Sequence, residues 1–346
     1  VRAAIDIIAE SLIKSIILIA FLFASFGYLT YAERKILGRM QSRYGPNRVG
    51  PFGLLQPLAD GVKLLLKEQI TPREVRTVIY LAAPGISIFV ALMAFAIVPV
   101  GPPFVAFGKE RVMAVANVNI GILYLLAILS LGVYGIVLGA WSSSNRYSLL
   151  GGLRSGAQMI SYELSLGLAL IAVVVLAGTL SPMGIVGAQH RVGSSWFFLL
   201  QPIGFVLFAI GGFAETNRAP FDLAEAEQEL VAGYHTEYAG MRFALYFAAE
   251  YINMVTVSAL VTTLYLGGWI GIGNGIIFNI TAAPWAQLIG VFWFLIKTAM
   301  FLFFYIWVRA TLPRLRYDQL MWFGWKILLP AAVVNLIITA LYVSLI

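Results

Sequence analysis

Eight apolar runs, at roughly 13–32, 78–98, 119–140, 157–179, 196–213, 243–269, 285–308 and 326–346, leave this chain little choice of fold. Each is long enough to cross the ~30 Å hydrocarbon core of a bilayer, which takes about 20 helical residues. Their hydrophobicity is continuous, without the period-two alternation of a barrel strand, and only a helix satisfies its backbone hydrogen bonds within one such segment. The expected fold is all-α: a polytopic membrane protein with about eight transmembrane helices, forming a single integral membrane domain over residues 1–346. Charged residues make up 11% of the chain, well below the share of about 25% in soluble domains. The first residues carry Asp6, Glu10 and Lys14, and no small-residue cleavage site follows the first run, so that run reads as a retained span.

Orientation follows from where the positive charges fall. Of the 23 lysines and arginines, 17 lie in the loops after runs one, three, five and seven. Only Arg2, Lys14, Lys109, Arg111 and Arg191 lie on the opposite side, and Lys297 sits inside run seven. The positive-inside rule places the odd loops in the cytoplasm or matrix and both termini on the outer side. The net charge of +7 is thus a topology signal and carries no implication of nucleic-acid binding. There are no cysteines and two histidines, His190 and His235. That excludes cysteine-held iron–sulphur clusters, disulfides and zinc ribbons, and leaves too little for a bis-histidine haem. Any redox chemistry belongs to a partner or a diffusible substrate.

The stretch Ala214–Tyr238 holds Glu215, Asp222, Glu225, Glu227, Glu229 and Glu237, six of the chain's 16 acidic residues. Carboxylates pinned between membrane-grade helices must be paired, hydrated or protonated. Asp222 followed by Glu225, with Pro220 ahead, fits a helix N-cap and capping box. Glu225 and Glu229 then share a face, which costs an exposed helix about 0.2–0.5 kcal/mol and more where water is excluded. A solvated acidic surface is the plainer alternative. Glu163 in run four and Glu250 in run six add carboxylates where charge is expensive, and Lys297 adds a cation. Each either pairs with a neighbour and orients helices, or takes part in moving protons.

The first inner loop, Glu33–Thr77, is the longest. Gln41–Gly53 is punctuated by glycine and proline, which implies a fixed irregular turn. In Leu54–Glu68, the residues Leu54, Leu58, Val62, Leu65 and Leu66 share one face, with Asp60, Lys63 and Lys67 mostly opposite. That pattern fits an amphipathic helix in the membrane interface, or one packed on partner proteins. The second inner loop, Trp141–Ser155, reads only as an ordered polar surface. No nucleophile–base pair, phosphate-cradling loop or metal-ligand spacing occurs, and His235 beside Tyr234 reads as a loop hydrogen-bonder. The sequence names no catalytic residue in the chemical sense.

These motifs together resemble one family. Glu33-Arg-Lys, Arg43-x-Gly-Pro-Asn47, Gly53-Leu-Leu-Gln-Pro-Leu-Ala-Asp60, Ile160-Ser-Tyr-Glu163, Glu215-Thr-Asn-Arg-Ala-Pro-Phe-Asp222, Glu225-Ala-Glu-Gln-Glu-Leu230, Ala249-Glu-Tyr251 and Arg309-Ala-Thr-Leu-Pro-Arg-Leu-Arg-Tyr-Asp-Gln319 follow in order along the chain. They are similar to the membrane component of respiratory complex I that joins its two arms (the bacterial H subunit, the mitochondrial subunit 1). The resemblance implies a proton-translocating NADH:quinone oxidoreductase of the bacterial plasma membrane or mitochondrial inner membrane. In it, this chain binds no cofactor; FMN and iron–sulphur clusters sit in partner subunits, quinone is the substrate, and lipids surround the spans. It further implies that Glu33, Arg34, Arg218, Asp222, Phe247, Tyr251 and Arg309 line or border a quinone tunnel. Glu163, Glu215, Glu225, Glu227, Glu229 and Glu250 would form an acidic proton relay. Some relatives carry an acid in run three near position 130, where this chain has Ser130 and Leu131. The alternatives are the same module in a ferredoxin-, deazaflavin- or hydrogenase-linked complex, or a stand-alone ion transporter.

Overall fold

The computed structural model describes residues 2–106, 109–191, 196–223, 232–271 and 285–345. Twelve helices are used below: α1 (Arg2–Met40), α2 (Gln56–Leu66), α3 (Thr77–Phe95), α4 (Gly121–Ser142), α5 (Arg146–Ala177), α6 (Pro182–Arg191), α7 (Phe197–Leu200), α8 (Pro202–Glu215), α9 (Gly240–Tyr265), α10 (Trp285–Thr311), α11 (Tyr317–Phe323) and α12 (Leu329–Leu345). The last two are joined through a π-helical turn, Gly324–Leu328, into one long rod. A small antiparallel pair, Phe104–Ala106 with Lys109–Arg111, is the one departure from an all-helical chain among the described residues.

Seven helical segments among those residues are long and apolar enough to span a membrane. The fifth expected run, 196–213, is broken instead. Phe197–Leu200 ends at Gln201, and the chain restarts at Pro202 as a 14-residue helix. Proline lacks an amide donor and forces its predecessor out of helical geometry, so continuous hydrophobicity here does not mean a continuous helix. Gln201 occupies the break, and its side-chain amide donates to the Ala172 carbonyl at 3.1 Å and the Thr339 hydroxyl at 2.8 Å. The first expected run was too short. α1 extends to Met40, about 58 Å at 1.5 Å per residue, so Glu33 lies inside a helix and not at the opening of a loop.

Helix α9 is the hub, packing on α1, α2, α3, α6, α8 and α10. Its most apolar stretch is 78% buried inside the protein, against 11% for α1. The composition explains the difference. Lipid tails are as apolar as leucine, so the Ile/Leu/Phe-rich α1 gains little by turning inward, while small and hydroxylated residues let helices approach closely. In α9 the hydroxyls of Thr256, Ser258, Thr262 and Thr263 each bond the carbonyl four residues back, at 2.8–2.9 Å. They therefore enter the core without a polar group left over.

Lys297 is buried in the middle of α10, and its ammonium solves a different problem. It donates to the carbonyls of Leu266, Gly268 and Ile270 at 2.6, 3.0 and 2.5 Å, just past the end of α9, and lies 4.6 Å from the Trp196 ring. A helix C-terminus buried in protein leaves carbonyls needing donors, and a cation suits its dipole. Lys297→Met removes three donors and nearly no volume. We expect it to destabilise the detergent-solubilised protein by roughly 2 kcal/mol or more, since buried polar groups lose their partners; a thermal unfolding curve checks this.

Candidate functional site

On α9, Phe247, Glu250 and Tyr251 occupy successive positions around one turn, so their side chains point to two adjoining sides. Phe247 and Tyr251 face α1. Their rings lie 4.8 Å apart and both meet Phe26, at 6.0 and 5.7 Å, forming an aromatic wall. The Tyr251 hydroxyl donates to Glu33 Oε2 at 2.7 Å, and Arg309 of α10 donates to Glu33 Oε1. Glu33 is thereby buried with a partner for each oxygen, tying α1 to both neighbours.

Arg218 stands between this wall and the other side of α9. Its guanidinium carbon lies 4.1 Å from the Tyr251 ring centroid and 5.7 Å from that of Phe247. Its Nη2 is 3.9 Å from Glu250 Oε2, and only 6% of the residue is exposed. The turn that delivers it, Thr216–Leu223, follows directly from α8 and is stapled by Gln158 of α5. The Gln158 amide donates to the carbonyls of Ala214 and Phe221 at 2.9 and 2.7 Å and to Asn217 Oδ1 at 3.3 Å. Asn217 adopts a left-handed φ of 49°, the conformation asparagine tolerates best among residues with a side chain. Asp222 lies near the rim, 3.6 Å from Arg314.

Beyond Glu250 lies a polar cavity of about 30 Å³ between α3, α4, α5 and α9. Glu215, Glu250, Asn217, Tyr234, Tyr246 and Asn253 are on its wall. A space of this size holds about two water molecules, given the minimum of roughly 10–15 Å³ for one. Glu250 Oε1 accepts from the Tyr234 hydroxyl at 3.0 Å. Glu215 is buried, and its Oε2 meets no hydrogen-bond donor among the described residues. Glu163, half-buried on α5, is close enough to Glu215 to act on it electrostatically. The other three expected relay acids, Glu225, Glu227 and Glu229, lie outside the described residues, as does the helix that Asp222 was expected to cap.

Arg34 faces away from Glu33. It is half-exposed and pairs with Asp60 of α2 at 2.7 Å, and Gln56 donates to the same carboxylate at 2.9 Å. The glycine-proline turn between α1 and α2 holds this geometry. Gly53 has a φ of 82°, and a Cβ there would lie 2.3 Å from the Pro46 carbonyl oxygen. Leu58 and Leu66, on the expected apolar face of α2, are 68% and 82% exposed. The amphipathic face is therefore left uncovered by the described residues.

Sequence reading missed Gln158, Tyr234 and Tyr246. An amide inside run four was a visible signal, because polar side chains within a span need partners. Tyr246 carried none, since an aromatic residue in an apolar run is ordinary core, and Tyr234, in the stretch before that run, drew notice only as the neighbour of His235. The substituted position near 130 proves peripheral: Ser130 bonds back to its own helix and Leu131 is exposed, while Leu129, Gly132 and Ile136 form that side of the cavity. A groove of about 1120 Å³ opens between α8, α10 and α11. It is lined by Phe205, Phe213, Phe304, Val308 and Trp322 and by none of the seven residues expected along a quinone path.

The chain is thus a polytopic helical membrane protein with a linked interior set of carboxylates, phenols and arginines. Among its described residues, no three metal-ligating side chains cluster. The family model for NADH dehydrogenase matches residues 13–340. The chain is 53% identical over 320 residues to the H subunit of the NADH-quinone oxidoreductase of Protochlamydia amoebophila, covering 92% of this chain and 93% of that one. It is 51% identical over 338 residues to the H subunit of the NADH-quinone oxidoreductase of Thermomicrobium roseum, covering 96% and 95%. With the H subunit numbered 2 of the NADH-quinone oxidoreductase of Koribacter versatilis it shares 48% over 347 residues, 97% of each. It belongs to the NADH dehydrogenase family.

The Ala214 and Phe221 carbonyls also accept the backbone amides of Asn217 and Leu223, at 3.3 and 3.1 Å, so Gln158→Leu removes the tie between the ends of the Arg218 turn and α5 while each carbonyl keeps a donor. We expect a loss of about 1–3 kcal/mol, taking roughly 0.5–1.5 kcal/mol per hydrogen bond lost. Faster hydrogen exchange at the Thr216–Leu223 amides would locate it.

Proposed function

We propose that this chain walls the membrane side of a quinone path in a proton-translocating NADH:quinone oxidoreductase and passes the effect of quinone reduction to an acidic relay. The family and the names of its relatives support the setting, with FMN and iron–sulphur clusters carried by partner subunits. The carrying observation is the position of Arg218. One cation touches the aromatic wall through Tyr251 and Phe247, and the same cation reaches Glu250 at the polar cavity.

In this reading the quinone head approaches the face built by Glu33, Tyr251, Arg218 and Arg309, with Arg34 and Asp222 at its borders. Phe26 and Phe247 meet the apolar part of the molecule. Reduction of quinone to quinol consumes two electrons and two protons, so the charge balance beside Tyr251 changes with each turnover. Unit charges about 4 Å apart interact by about 4 kcal/mol at an effective dielectric near 20. A displacement of Arg218 is therefore a large perturbation of Glu250. Glu250, Glu215 and Glu163, joined by Glu225, Glu227 and Glu229, then hand protons on toward neighbouring subunits. The exposed apolar face of α2 rests in the membrane interface near the mouth of the path, on the inner side, with both termini outside.

In the assembled complex, Glu215→Gln and Glu250→Gln should each slow coupled quinone reduction and proton pumping about tenfold or more, the scale on which a positioned proton carrier acts. Wild-type rates in both variants would refute the relay. A photoreactive quinone analogue should label residues 33–68 or 215–251. Labelling confined to the outer loops would refute the path.

A further inference from the structure

The groove between α8, α10 and α11 serves neither the path nor the relay. Its walls run from Phe205 in the first turn of α8 and Met300 in the middle of α10 to Leu312 and Leu315, past the end of α10. From Met300 to Leu312 is ~18 Å at 1.5 Å per residue, about half of the ~30 Å hydrocarbon core. Among the described lining residues only Asp318 and Gln319 are polar, and both stand at the loop end. The rings on the walls stay open, with Phe304 40% and Trp322 53% exposed. At the mouth, Arg316 pairs with Asp318 through Nε and Nη2, at 3.1 and 3.0 Å. Its Nη1 has no acceptor among the described residues, and the side chain is 74% exposed. Arg314, between the groove residues Pro313 and Leu315, adds a second guanidinium beside the mouth, 3.6 Å from Asp222.

We propose that this groove is a phospholipid site, with acyl chains along α8 and α10 and the phosphate on Arg316. The shape is that of an amphiphile: a long apolar slot that ends in a polar mouth at the level of a membrane loop. Its volume, about 1120 Å³, exceeds the roughly 300–1,000 Å³ of most small-molecule sites. Flexible hydrocarbon chains fill such a space where one rigid ligand does not. Depth argues the same way, because the chains of one leaflet cover about half the core. A partner's transmembrane helix runs the whole ~30 Å and is about 10–12 Å across, so the groove would seat only half of it. Asp318 holds the guanidinium at the mouth through two of its N–H groups and leaves the others for a second anion. Arginine N–H groups match phosphate oxygens in strong, directed hydrogen bonds, and basic sites between transmembrane helices bind lipid headgroups. Trp322 stands on the wall near that mouth, and indole rings concentrate at the headgroup level of membranes. The site stands apart from the quinone reading, because none of the residues expected along that path lines it.

The test uses the assembled complex in lipid nanodiscs with a phosphatidylglycerol that carries a photoreactive diazirine on one acyl chain. Adducts are mapped by mass spectrometry on the groove segments 205–213 and 300–323. The exposed face of α1 around Leu12 and Ile16 is the reference for ordinary lipid contact. We expect groove adducts several-fold above that reference, competed by phosphatidylglycerol but not by diacylglycerol, which has the same chains and no phosphate. Ala209→Trp, which fills the slot, and Arg316→Gln, which removes the charge, should each bring groove labelling down to the reference. Equal labelling of groove and α1 overturns the proposal, because any lipid-facing surface gives that. Competition by diacylglycerol as strong as by phosphatidylglycerol overturns it too. Groove adducts displaced by a short-chain quinone assign the slot to quinone, and a groove without adducts because a partner subunit closes it assigns it to protein; both reject the lipid. If Ala209→Trp does not assemble, Arg316→Gln and the competition decide.

Discussion

A guanidinium in the low-dielectric interior of a helical bundle must find anions and ring faces among its neighbours, and Arg218 finds both. Tyr251 and Phe247 meet it on one side and Glu250 on the other, and the rest of the interior is arranged to hold that position. Gln158 fixes the turn from below. Glu33 holds the Tyr251 hydroxyl and draws α1 and α10 onto α9. Helices that would otherwise share only greasy contacts are thereby locked in register by a short run of alternating acid, phenol and cation.

Lys297 shows the other solution to the same cost. It has three backbone carbonyls at the end of α9 for partners, where its charge suits the helix dipole. A buried cation thus serves as an architectural cap in one half of the molecule and as a link between two polar regions in the other. Charge count alone cannot distinguish these roles; the partners do.

The all-helical, membrane-spanning character was legible along the chain, because hydrophobic length and period are local properties; eight spans were expected, and seven helices among the described residues are long and apolar enough to cross a membrane. The resemblance also singled out Glu33, Arg218, Tyr251 and Arg309, and the fold gathers these four into one contact network. Local reading failed where a single residue overrode its surroundings. Pro202 divides an unbroken apolar run, and α1 continues through Glu33-Arg-Lys because these charged residues are good helix formers and Glu33 finds partners in the interior. Arg34, adjacent to Glu33, points to Asp60 instead, a separation that helical geometry dictates once the helix is known to continue.

By itself, the sequence determined that the chain is a membrane-embedded set of helices and which ionisable residues its apolar segments must accommodate. Burial cost and hydrophobic length require nothing beyond neighbours in the chain. Only the tertiary structure decided that Glu215 and Glu250 share one cavity, that Gln158 reaches across to the Arg218 turn, and that Tyr238 and Tyr246 meet over Gly139. Those pairings join residues on different helices. A side chain's partner across a bundle depends on how the helices rotate and approach, which no single segment encodes.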